Sequence, residues 1–180
     1  MPVTVIIWNL IKNPAYIFSV IAMTNMCFVT TALQYWTTYY MTTVLHGEEN
    51  TVYFLFSTAA LIGPALGGIV GGIITTKYLG GYTSTKAILF CQGTFILLVT
   101  VSIPAPFLDN IWVFIVLVSI MLICVGAIEP NLTGILLNTV NALERPTASS
   151  FAIFFYNLFG YLPAPYFYGL IADNTEVLDS

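Results

Sequence analysis

From Ile111 to Cys124 the chain reads IWVFIVLVSIMLIC, without one charge, and the next charged residues along it are Glu129 and Glu144. A run of that length fits poorly on the surface of a water-soluble domain. Roughly 20 predominantly apolar residues in helical form cross the hydrocarbon of a bilayer, whereas membrane strands announce themselves as much shorter alternating segments. Comparable runs recur along the rest of the chain, so the fold expected is all-α: a polytopic membrane helical bundle. Composition agrees, with 58% hydrophobic and 7% charged residues where a soluble domain carries roughly 25% charged.

The same scarcity of charge excludes several functions. Eight acids against four bases, a net charge of −4, leave no basic surface for nucleic acid or anionic headgroups. Cys27, Cys91 and Cys124 lie inside apolar runs without a CxxC pair, where thiols act as small hydrophobes. The single histidine, His46, stands in a loop beside Glu48 and Glu49 and reads as solvated. No nucleophile–base pair, metal constellation or phosphate-cradling loop is present, so the expectation is no enzyme, no catalytic residue, no metal and no cofactor. The opening MPVTVIIWNLIKNP is not a secretory signal, because Lys12 follows its apolar patch instead of preceding it. Residues 1–13 therefore read as an interfacial segment or connector.

Five crossings are expected, over 14–44, 51–76, 87–103, 111–141 and 147–172, followed by an acidic tail, 173–180. An alternating path places Lys12, Lys77, Lys86 and Arg145 on one side of the membrane. Glu48, Glu49, Asp109, Asp173, Glu176 and Asp179 fall on the other. That asymmetry is what the positive-inside rule requires of an integral, multi-pass protein. An odd number of crossings points to membrane lipids and further transmembrane helices as partners, the rest of an assembly being supplied elsewhere.

Two kinds of helix face stand out. Gly63, Gly67 and Gly71 recur every four residues in GPALGGIVGG and read as a helix-packing face that lets two backbones approach. Asn25, Phe28, Ala32, Trp36, Tyr39 and Thr43 form a stripe on the first crossing; Ser150, Phe154, Asn157, Tyr161, Ala164 and Tyr168 form one on the fifth. Amides, hydroxyls and rings in one stripe suit a cavity for an amphipathic molecule, and equally suit interhelical packing with local hydrogen bonds.

FVTTALQYWTTYYM, GPALGGIVGGIITTKYLGGY and LERPTASSFAIFFYNLFGYLPAPYFYGLIAD resemble the seventh, eighth and eleventh helices of major facilitator superfamily transporters. Spinster-type lipid transporters and organic-anion-transporting polypeptides are the nearest in pattern. In the last segment the resemblance is carried by Arg145, Ala148, Gly160, Pro163, Pro165, Gly169, Ile171 and Asp173. It implies helices seven to eleven of such a fold, hence the C-terminal half of a transporter working by alternating access with a separate or missing N-terminal half. The solute implied is an amphipathic organic anion or a lysolipid-like molecule. One departure matters: the family's loop motif, roughly G-x-x-x-D-[RK]-x-G, carries an acid, whereas GIITTKYLGG has Thr76 in its place.

Glu129, followed at once by Pro130, falls somewhat past the middle of the fourth crossing. A carboxylate there is costly, so it should be protonated, paired or facing a wet cavity, and Pro130 frees a carbonyl near the same spot. Gly126 and Thr133 share its helix face; Asn131, Gly134, Asn138 and Asn141 lie around another. The substrate-cavity candidates are accordingly Asn25, Phe28, Trp36, Tyr39, Glu129, Thr133, Asn157 and Tyr161. The competing expectation is a non-transporting structural subunit of a larger membrane complex, derived from a transporter, in which Glu129 is a structural acid.

Overall fold

A computed structural model describes residues 3–174, with side chains over 4–170. The first helix, α1 (Val3–Lys12), covers most of the expected connector. It gives way to α2 (Pro14–Thr43) because Asn13 caps the new helix: its Oδ1 accepts from the amides of Ala15 at 3.1 Å and Tyr16 at 3.3 Å. Pro14, at the first helical position, has no N–H to satisfy. After α2 the chain turns at His46, whose φ of 51° lies in the left-handed region.

Helix α3 (Glu49–Ile73) passes through Pro64 and widens into a π-helical turn, Ile74–Tyr78. Ser84 starts α4 (Thr85–Ser102) by accepting from the Lys86 amide at 3.2 Å. Asn110 starts α5 (Ile111–Asn138) in the same way, its Oδ1 taking the Trp112 amide at 2.9 Å. Helix α5 continues unbroken through Pro130. Among the described residues, four helical stretches are long and apolar enough to cross a membrane: Pro14–Thr43, Glu49–Tyr78, Thr85–Phe107 and Ile111–Asn138.

Where the sequence suggests a single fifth crossing, three pieces follow one another. They are α6 (Arg145–Tyr156), a π turn (Asn157–Tyr161) and α7 (Ala164–Asn174). None alone has the roughly 20 residues of a crossing. The local cause is visible in the chain: the Leu162 amide reaches back to the Asn157 carbonyl at 3.1 Å, and Pro163 and Pro165 contribute no donor. Beyond Asn174 the acidic tail expected over 173–180 lies outside the described residues.

The chain divides into two compact units, with α2 contributing to both. One comprises Met1–Tyr35 and Thr139–Ser180. Asn13 Nδ2 donates to the Thr139 carbonyl at 2.8 Å, and the fully buried Tyr16 donates its hydroxyl to the Ala148 carbonyl at 2.7 Å. Phe28 packs on Phe167 and Tyr168, with ring centroids at 6.3 and 5.8 Å. The other unit, Trp36–Asn138, is centred on Met41, Val52, Phe114, Ile115, Val118 and Leu122.

Both units expose large apolar side chains, among them Phe18 (71%), Phe54 (72%) and Leu61 (76%). Such faces suit hydrocarbon, and the hydroxyls on these helices suit it too. Ser19, Thr24, Thr30, Thr58, Thr94, Thr100 and Ser119 each donate to the carbonyl four residues earlier at 2.7–2.8 Å. Each polar group is satisfied within its own helix, as a medium without water demands.

Candidate functional site

The site grows out of the seam between α3 and α5. Gly63 faces Leu122, Gly67 faces Ile123 and Ala127, and Gly71 faces Ala127, so the two helices run in the same direction in register. Contact is backbone to backbone. A Cβ on Gly67 would collide with the Ile123 carbonyl, and one on Gly126 with the carbonyl of Pro64.

Beside this seam lies an open cleft of about 520 Å³, lined by Pro64, Gly68, Tyr82, Gly126, Glu129, Pro130, Thr133, Gly134 and Leu137. The α5 residues come from successive turns of one side of that helix. Pro64 and Gly68 belong to α3. Tyr82 comes from the turn before α4, and its ring is laid against Gly134, where a Cβ would stand 2.6 Å from the ring carbons.

Glu129 is exposed on this face, and its carboxyl group has no hydrogen-bond or ion-pair partner among the described residues. The Thr133 hydroxyl is occupied, donating to the Glu129 carbonyl at 2.9 Å. Pro130 has no N–H to return to the Gly126 carbonyl, which stands beside Gly68, 3.6 Å from where a Cβ on that residue would be. The lining is therefore rich in acceptors, and its one formal charge is negative. No Lys, Arg or His lines it, and no cluster of potential metal ligands exists among the described residues.

Next to the cleft, Asn131 is fully buried. Its Nδ2 donates to the Ala127 carbonyl at 2.6 Å, while Oδ1 has no partner. The buried hydroxyl of Thr75 is likewise without one. Asn131 stands one turn beyond Ala127, and Thr75 one turn beyond the Gly71 that Ala127 touches. The glycine seam thus runs on into two polar residues.

Of the eight cavity candidates, the structure brings Glu129 and Thr133 together at the cleft. Trp36 and Tyr39 contact each other edge-on at 5.2 Å. Asn25 is exposed on α2, and Phe28 sits in the aromatic cluster with Phe167 and Tyr168. Asn157 spends its amide on its own helix, donating to the Ile153 carbonyl at 2.7 Å. Tyr161 packs against Tyr156 at 6.2 Å. The sequence reading overlooked Tyr82, Pro64 and Gly68 as lining. The spacing that joins Gly126 and Thr133 to Glu129 was visible, but a tyrosine in a polar turn carries no periodic signal.

Comparisons of the chain with family models, with curated proteins and with solved structures give no match.

Proposed function

We propose that this chain is the C-terminal helical bundle of a secondary transporter of the major facilitator type, moving an amphipathic solute by alternating access against a counterpart bundle. The observation that carries the proposal is the unpartnered Glu129 carboxyl group, presented to a cleft on a helix that is otherwise apolar enough to cross a membrane. An ionisable group at membrane depth is costly and is retained where it faces a polar path, a partner or a solute. The prolines beside it are tolerated where freed carbonyls line such a cavity. Lysolipid-like solutes whose headgroup carries an ammonium fit this lining better than organic anions, for which it supplies no cation.

The test is flux in proteoliposomes holding the chain with the subunits that accompany it. Uptake of a labelled lysolipid should depend on a pH gradient, and Glu129→Gln should reduce it by about tenfold or more, the range typical of a positioned acid or base. Unchanged rate and pH dependence in that variant would remove the transport reading.

A second reading, a structural membrane subunit that does not transport, is favoured by one specific feature. Where the resembling family carries an acid, Thr76 donates its hydroxyl to the Gly72 carbonyl at 2.7 Å, a purely local bond that latches nothing.

A further inference from the structure

We infer that the Glu129 cleft takes the protonated amino group of a cationic amphiphile. The inference rests on the transport reading of the same cleft and gives it a substrate class. Three features of the lining converge on it. The Glu129 carboxyl group supplies the only formal charge in the lining and has no counter-ion among the described residues. Pro130 leaves the Gly126 carbonyl without its helical donor, so a second strong acceptor stands one turn away beside Gly68. The lining is also poor in donors: Pro64 and Pro130 have no N–H, the Thr133 hydroxyl is committed to the Glu129 carbonyl, and the Tyr82 hydroxyl is what remains.

An anion entering such a site would meet acceptors and a like charge, losing its hydration without replacement. A primary ammonium group brings three donors and a positive charge, matching the carboxylate and the carbonyl together. The Tyr82 ring, held in place against Gly134, offers a face for the cation or for the first methylenes behind it. Leu137 and the two proline rings provide apolar surface for the chain that follows. The cleft volume, about 520 Å³, lies within the ordinary range for small-molecule sites.

The experiment measures equilibrium binding of three probes with the same tail, dodecylammonium, dodecyl sulfate and dodecanol, to the full chain purified in digitonin. The expected result is saturable binding of dodecylammonium, with the other two weaker by about tenfold or more, as for loss of a close charge pair. Glu129→Gln should bring dodecylammonium to the level of dodecanol. Gly68→Ala adds a methyl that meets only ordinary contact, 3.6 Å from the Gly126 carbonyl. It keeps the fold, narrows the cleft and should weaken all three probes. Equal binding of dodecyl sulfate or dodecanol, still weakened by Gly68→Ala, would overturn the ammonium preference while leaving the cleft a solute site. Retained dodecylammonium affinity in Glu129→Gln would overturn it as well. Saturable binding of none of the three would overturn both this inference and the transport reading beneath it.

Discussion

Gly67 and Gly72 stand on the same helix and differ in what an added methyl group would meet. At Gly67 it would run into the backbone of α5 at Ile123; at Gly72 nothing lies within 4 Å. Gly67→Ala should therefore cost about 1–3 kcal/mol through overpacking, whereas Gly72→Ala should be neutral or gain up to about 1 kcal/mol from helix propensity. Thermal unfolding of the two variants in detergent checks the contrast, and equal midpoints would contradict the seam. Asn131 supplies a less intuitive case. Its Nδ2 bonds only to its own helix, and its buried Oδ1 bonds to nothing. Removing an unsatisfied buried acceptor in favour of an apolar group of similar shape is close to neutral or stabilising. Asn131→Leu should raise the unfolding midpoint or leave it unchanged, and a marked fall would mean that Oδ1 has a partner in the membrane.

At the level of elements, the long helices were legible because their cause is local: uncharged apolar length, closed by His46, by the Gly80–Gly81 turn and by the caps Asn13, Ser84 and Asn110. Asn13–Pro14 is a helix start written in two residues, and it divides what composition alone would leave as one N-terminal segment. Asn13→Ala removes both that cap and the bond to the Thr139 carbonyl. It should cost about 1–2 kcal/mol, read as an earlier loss of helical signal on heating; an unchanged midpoint would deny the cap its role. The break within 147–172 was not legible in the same way. Apolarity continues through it, and only the π turn at Asn157–Tyr161 with the prolines after it interrupts the backbone pattern. The cleft was half legible. Gly126, Glu129 and Thr133 share a helical face by spacing alone, but Pro64, Gly68 and Tyr82 reach the cleft through the packing of α3 and of a turn, which no one-dimensional period encodes. The polar stripes suit a cavity and local hydrogen bonding equally for a physical reason: a hydroxyl or amide on an apolar helix can bond to its own backbone, as Ser150 and Asn157 do, and need face no cavity.

For the molecule as a whole, the account turns on whether the Glu129 face meets water and solute or meets lipid. Exposed residues such as Leu61 on α3 are apolar and suit hydrocarbon, whereas the cleft combines an acid, a freed carbonyl and three glycines. A transporter half should let an aqueous reagent reach the second surface and never the first. The three native cysteines are buried and leave a quiet background. The direct measurement is labelling of Thr133→Cys and Leu61→Cys by a membrane-impermeant maleimide, applied separately from each side of sealed vesicles that hold the chain with its native companions. The account predicts that the cysteine at position 133 reacts, from both sides in turn if the cleft alternates, while the one at 61 stays unlabelled. A cysteine at 133 that resists the reagent from either side, like the one at 61, would place Glu129 against lipid or sealed protein and contradict the account.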